Sequence, residues 1–447
     1  MTHPSTRSDA VMRGVVRWFV VWLAVLSLGD VLGAQPSARS ATVELRDAHW
    51  FDGTRFVRGS RFVRDDHFID PPRGGADSVI ALAGAYLVPP FGDAHTHSPD
   101  GARDYEAIRQ TYFDVGVFYV QTLANHRAAR RDLLPWLGRA TELDVVFADA
   151  VVTATGGHPQ ILYELLATRF RPFWENDAER FEAFRSRTQD GQVYYRLDRL
   201  ADVDSVVRLI ARDAGPVLKI MLLQSDRHAE RAGDSTYAGS YGLPPDVVAP
   251  LVRAAHQLGK RVWAHVETPV DFAVALDAGV DAFAHVPGYG AADAPDSLLA
   301  SLLLPDSLVR RAGAQRVEMT ATAALGVAEA GEDTARVRRH AAVVQRNVRA
   351  LANAGVQFLV GSDNYNNAHI LRLEPRALAR MLGQSPVALL RTWAVHTPQA
   401  IFPGRRIGVL ASGYEASALV LACDPLRELE CLQRIQRRMK QGVWLPE

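Results

Sequence analysis

The 447-residue chain predicts an α/β fold: a (β/α)8 TIM barrel with a small β-sandwich domain built from both chain ends. Three observations lead there. From Val88 onward, short apolar strand-like runs alternate with helical stretches, the pattern of successive βα units around a parallel sheet. Eight such runs are present, which is the number a closed barrel needs. Before Val88 and after Ile407 the pattern is different, with brief alternating strands and turn residues.

Taken in order, the N-terminus reads as an export signal over 1–34. Arg13 and Arg17 precede the apolar run Trp18 to Leu28, and Gly33 and Ala34 follow. The run is shorter than the roughly 20 residues a membrane span requires, and Gly29-Asp30 interrupts it. An uncleaved anchor is the alternative; attachment through a lipidated Cys is excluded, because no Cys is near. The expectation is therefore a periplasmic or secreted protein with no membrane span after cleavage.

Residues 41–86 form the first part of the β-sandwich. Thr42 to Arg46 alternates, Asp52-Gly53 marks a hairpin turn, and Arg61-Phe62-Val63 and Ser78 to Leu82 continue the strands. The barrel spans 87–405, with strands at Leu87–Ala94, Val117–Leu123, Val145–Val152, Val217–Leu222, Arg261–Val266, Ala282–Val286, Val317–Thr320 and Val356–Val360. Helical stretches such as Asp204–Arg212, Pro245–Leu258 and Thr334–Ala354 lie between them. The connection Gly156 to Val203 is too long for a simple crossover and reads as a helical insertion or lid; the loop Gln224 to Leu243 is a second candidate cover. Residues 406–447 return to strands, clearest at Ala418-Leu419-Val420-Leu421, and complete the β-sandwich.

Composition narrows the partners. Hydrophobic residues at 48% and charged residues at 22% fit a soluble globular chain and argue against disorder. Lys+Arg and Asp+Glu both number 50, so there is no basic excess for nucleic acid. A small molecule is the expected partner; association of identical chains is left open. Cys423 and Cys431 have two readings, a disulfide closing a short loop or two separate buried thiols.

The chemistry begins at Gly92-Asp93-Ala94-His95-Thr96-His97. Residues i and i+2 of a strand face one way, so His95 and His97 point together, half of a metal site. Lys219 interrupts the apolar strand Val217–Met221, where burial favours the neutral amine over the ammonium. Such an amine can combine with carbon dioxide to give a carbamate, an anionic ligand able to bridge two cations. His265, His285 and Asp363 each stand where another apolar strand ends. His-x-His, Lys, His, His and Asp on strands one, four, five, six and eight form a constellation that chance does not readily assemble.

These residues resemble the amidohydrolase superfamily, in particular its imidazolonepropionase-like and Xaa-Pro dipeptidase (prolidase)-like branch. The resemblance extends over the Asp52-Gly53 turn, Val88 to His97, Thr397-Pro398-Gln399-Ala400 and Ile407-Gly408-Val409-Leu410. Gly413-Tyr414-Glu415-Ala416-Ser417 departs from the Gly-Lys-x-Ala-Asp usual in the family. The resemblance implies two divalent metal ions, most often zinc, held by His95, His97 and Asp363 on one side and His265 and His285 on the other. Carboxylated Lys219 would bridge them, and a metal-bridged hydroxide would attack an amide carbonyl while Asp363 shuttles the proton. Asp93 is expected to orient a ligating His. The loop Thr155-Gly156-Gly157-His158 also resembles this branch, with His158 a catalytic candidate that bonds a substrate carboxylate or the oxyanion. Tyr241 and Arg227 are weaker substrate contacts, and Arg405-Arg406 reads as surface charge.

The implied substrate is an Xaa-Pro dipeptide or N-acyl amino acid. Alternatives are a mononuclear deaminase or cyclic-amide hydrolase, and a lactonase or phosphotriesterase-like activity; a non-catalytic binding protein is the remote one.

Overall fold

Pro89-Pro90 divides the architecture. Neither proline can donate to a strand ladder, and the single expected strand Leu87–Ala94 is in fact two, Tyr86–Val88 and Phe91–Thr96, in different sheets. The computed structural model describes residues 40–170, 174–292, 294–325, 333–365 and 367–446. The expected signal segment 1–34 lies outside them. No helix among the described residues is long and apolar enough to cross a membrane.

The core architecture is mixed α/β with two parallel sheets. One holds Phe91–Thr96, Val117–Thr122 and Asp144–Phe147 in that order. The other runs Tyr194–Arg196, Val151–Thr153, Val217–Met221, Arg261–His265, Ala282–Ala284, Glu318–Thr320 and Gln357–Leu359. The expected strand Val145–Val152 is broken at Ala148–Ala150, where Asp149 takes a left-handed φ of 57°; its halves therefore belong one to each sheet. At the opposite margins, Ala94 N–H donates to Val360 O at 2.8 Å and Asp363 N–H to His95 O at 2.6 Å. These bonds bring the first and last strand ends side by side.

Helices pack outside these strands by one apolar face. Pro245–Gln257 buries Val247, Val248, Leu251, Val252 and Ala255, a 3.6-residue stripe. Pro269–Ala278 begins at a capping box between Thr268 and Asp271 and stops at Gly279. The insertion after Gly156 supplies the helices Gln160–Arg169 and Asp177–Arg185, and also the strand Tyr194–Arg196, which a helical reading of the segment did not foresee.

The two chain ends meet in one eight-stranded mixed sheet, in which Ala418–Leu421 pairs with Tyr86–Val88. A bulge between Leu45 and Ala48 bends the strand Thr42–Phe51, so its first half pairs in parallel with Ser78–Ala81 and its second with Tyr86–Val88. This sheet encloses its own core, Trp50, Phe68, Leu87, Val420 and Met439 among them, with no helical residue among its buried members. Cys423 and Cys431 are joined as a disulfide with Cα atoms 5.4 Å apart.

Arg405 corrects the reading of Arg405-Arg406 as mere surface charge. Its guanidinium reaches Asp144 at 2.8 Å and Glu415 at 2.6 Å, tying the parallel strands to the chain-end sheet. Lys440, fully buried, holds the other oxygen of Asp144 at 2.8 Å. Glu415, in the segment that departs from the family pattern, thus has a partner of its own. Lys440→Met removes one of the two cations on buried Asp144 and leaves Arg405, so it should destabilise the protein by about 2 kcal/mol, the worth of one charged hydrogen bond. Urea unfolding would show this as a lower midpoint at unchanged slope.

Candidate metal centre

The strand Phe91–Thr96 is buried at every position, and the loop just beyond it carries His97. His95 and His97 turn their Nε2 atoms to the same Asp363 oxygen, at 3.3 and 2.9 Å, and His285 Nε2 lies 3.6 Å from the other. The donor atoms of His95, His97 and Asp363 all fall within 4.8 Å of one another. His265 extends the row, its ring 4.7 Å from His285, and His158 stands 4.9 Å beyond it. All of these, with Lys219, line one cavity of roughly 600 Å³.

Neighbouring hydroxyls set which ring nitrogen is free. His95 Nδ1 pairs with Thr320 Oγ1 at 3.2 Å and His285 Nδ1 with Thr322 Oγ1 at 2.8 Å, which leaves Nε2 of both facing Asp363. His265 is the reverse: it is its Nε2 that is engaged, 3.2 Å from Glu267 Oε1. His97 Nδ1 is buried and without a hydrogen-bond partner among the described residues; the face of its ring stacks on Tyr365.

Burial outweighs the attraction of Asp363 for His95 and His285 and holds both imidazoles neutral, well below the ordinary histidine range. Burial likewise takes His265 and His158 down to about 3. At Asp363 burial pushes the carboxyl up, but the surrounding histidines prevail and keep it ionised. Burial lowers the Lys219 ammonium to about 7, with Asp363 opposing. No hydrogen bond or ion pair holds its Nζ among the described residues. The result is a cluster rich in lone pairs: neutral imidazoles, an ionised carboxylate and an amine that burial brings to about half protonation near neutral pH. That donor set, with one ring nitrogen orphaned, fits divalent cations of the zinc, manganese or cobalt kind.

Backbone conformation at the site is unusual. His285, Thr322 and Asp363 have φ of 72°, 46° and 54°, a region that non-glycine residues avoid at a cost of roughly 1–3 kcal/mol each. Around them the packing leaves little freedom. A Cβ on Gly361 would lie 2.7 Å from His95 Cβ and also strike the Thr320 side chain. Val360 N–H donates to Thr397 Oγ1 at 3.0 Å, which gives the Thr397-Pro398 motif a role in holding this strand end.

Some sequence assignments change. Asp93 does not reach a histidine ring; it accepts the backbone N–H of His95 at 3.2 Å and of Ser362 at 3.0 Å, so it clamps the first strand to the last. Tyr241 is fully buried and donates to Thr155 O at 2.6 Å, a support for the His158 loop and not a cavity residue. Arg227 is spent on exposed Glu230, at 2.5 Å. His158 does line the cavity, its backbone N–H held by Tyr241 O at 2.8 Å. Thr320, Thr322, Glu267 and Tyr365 were missed. The i, i+2 spacing of His265-Val266-Glu267 was the legible signal for Glu267; nothing local marks the others.

No protein-family model and no curated protein matches the chain. Solved structures do. An amidohydrolase is 18% identical at a TM-score of 0.66, covering 90% of this chain and 98% of its own. An Xaa-Pro dipeptidase with bound methionine is 15% identical at 0.67, covering 91% and 100%. The ochratoxinase of A. niger is 17% identical at 0.66, covering 91% and 96%. At such identities the likeness is one of fold.

Two outcomes follow for the centre. Thr322→Val removes the partner of His285 Nδ1 and should weaken divalent-metal binding roughly 10- to 100-fold by titration calorimetry, with the fold retained. Lys219 has a folded value of about 7 against an ordinary 10.5. Between those values the unfolded chain holds a proton that the folded chain lacks. Stability of the metal-free protein should therefore rise with pH across that window, and the penalty should be full below it. Lys219→Met should abolish this component, and unfolding curves from pH 6 to 9 would measure the difference.

Proposed function

We propose that this chain is a metal-dependent amide hydrolase of the amidohydrolase superfamily, prolidase-like branch. The observation that carries the proposal is Asp363, whose carboxylate three imidazole nitrogens surround at 2.9 to 3.6 Å inside a substrate-sized cavity. The family likeness of the solved structures supports the same reading. With it we propose closure of the two parallel sheets into a (β/α)8 barrel, Asp144–Phe147 and Val151–Thr153 counting as one strand and Tyr194–Arg196 as an addition. The side-by-side first and last strand ends support that closure.

In this reading His95, His97 and Asp363 hold one divalent ion, zinc by family preference, and His265 and His285 hold a second. Lys219, as a carbamate, would supply an anionic oxygen ligand to them. Bound there, the ions would lower the pKa of water and polarise the substrate carbonyl. The chain does the rest. Asp363, kept ionised, takes a proton from the attacking water and returns it to the leaving nitrogen. Thr320, Thr322 and Glu267 each engage one ring nitrogen of His95, His285 and His265 and so hold the rings in orientation. His158 presents its ring beside His265 as a donor toward the carbonyl oxygen. A single-ion deaminase or cyclic-amide hydrolase is the second reading, favoured by the tightness of the His95–His97–Asp363 trio; buried Lys219 speaks for two ions.

Export belongs to the same proposal: the Cys423–Cys431 disulfide agrees with an oxidising compartment.

The test is a screen of dipeptides, N-acyl amino acids, simple amides and lactones with zinc-, manganese- or cobalt-loaded protein. Amide cleavage is expected, and Asp363→Asn should reduce it by at least about 100-fold while the circular dichroism spectrum stays unchanged. A fully active Asp363→Asn protein would remove Asp363 from the mechanism; cleavage of lactones alone would replace the amide assignment.

A further inference from the structure

We propose that the substrate is a neutral, hydrophobic amide, aryl or branched-alkyl and without a carboxylate, and that Leu162 and Leu166 select it. This rests on the amide-hydrolase reading and names its substrate class. It separates that class from the C-terminal-proline dipeptides and N-acyl amino acids, both of which carry a carboxylate next to the scissile bond.

The helix Gln160–Arg169 carries the argument. Leu162, Tyr163 and Leu166 line the cavity that holds the histidines and Asp363. Leu162 and Leu166 are one helical turn apart and so share a face. The helix is seated mainly by Ile161 and Leu165, buried against Ala183 and Ala238, while Leu162 and Leu166 rest only one side on the cluster that includes Ala124, Val151 and Met221. Glu164 pins it further, accepting Tyr194 Oη and Thr188 Oγ1, each at 2.6 Å, and Gln189 N–H at 2.8 Å. Two leucines that are only half-buried are thus held in place with their exposed surface on the cavity. Met221, Leu325 and Ile370 continue the apolar lining.

Charge points the same way. The cavity lining contains the carboxylates of Asp363 and Glu267, and Lys219 is its one cation among the described residues. Lys219 is assigned to the ions. The ions would sit at the histidine end; a substrate carboxylate seated against Leu162 and Leu166 would meet no protein cation among the described residues of that wall, an environment that penalises an unpaired anion. A phenyl or isobutyl group would meet surface of its own kind.

The experiment uses a matched pair of ketones that cannot be hydrolysed. One is N-benzoyl-isopentylamine with its N–H replaced by CH2; the other is the same ketone bearing the carboxylate that leucine would have. Binding of each to the zinc-loaded full chain is measured by calorimetry. The neutral ketone should bind at least about tenfold more tightly. Leu166→Arg, which sets a cation in the wall, should narrow or invert that ratio. Leu162→Ala, a milder change that retains the fold, should weaken the neutral ketone several-fold and leave the carboxylate ketone nearly unmoved. Equal or tighter binding of the carboxylate ketone to the unaltered protein would overturn the proposal, as would a ratio indifferent to both substitutions. Since neither ketone is turned over, the outcome is independent of catalysis: an absence of amide cleavage would defeat the proposed activity and leave the binding preference to be judged on its own.

Discussion

Everything at the cavity depends on keeping an ionised carboxylate among imidazoles away from bulk water. Asp363 is 9% exposed and His95 is 1% exposed. Desolvation on this scale strips protons from the rings and works against the anion, and the rings around Asp363 outweigh that penalty and keep it ionised. In water the same groups would be solvated and mobile. Held together, they are an arrangement of lone pairs with no cation of comparable charge, and the surrounding fold has to pay for it in packing and hydrogen bonds.

That support comes from several elements. Asp93 clamps the backbone of His95 to that of Ser362. Thr397 catches Val360, and Thr320 and Thr322 orient two rings from the seventh strand and the loop after it. The left-handed conformations at His285, Thr322 and Asp363 persist because these contacts over-determine them. Further out, Asp144 with Arg405 and Lys440 joins the strands that carry the site to the chain-end sheet. The small sheet is thereby coupled to the strands around the cavity through buried charge as well as apolar contact.

The legibility of this arrangement in the sequence follows from how local each signal is. His95-Thr96-His97 and Lys219 within Val217–Met221 are strand-period patterns, so identity and facing could be read together. Strand positions were legible for the same reason, since runs buried on both faces are apolar throughout. What escaped was determined by distance in the chain. Thr320 and Thr322 acquire meaning only when the seventh strand pairs with the sixth and Thr320 comes within reach of His95 on the first. Arg405 looks like surface charge until Asp144, 261 residues away, is placed against it. The break of Leu87–Ala94 was visible in Pro89-Pro90, but an apolar run masked it. The strand Tyr194–Arg196 is too short, at three residues, to assert a period.

The central claim, that six side chains at five strand ends act as one cation-holding centre, is tested most directly by anomalous diffraction from crystals grown with zinc. The account predicts two peaks in the cavity, one among His95, His97 and Asp363 and one between His265 and His285, with density extending Lys219 Nζ as a carbamate. An empty cavity, with zinc bound only at surface histidines such as His67 or His256, would contradict it.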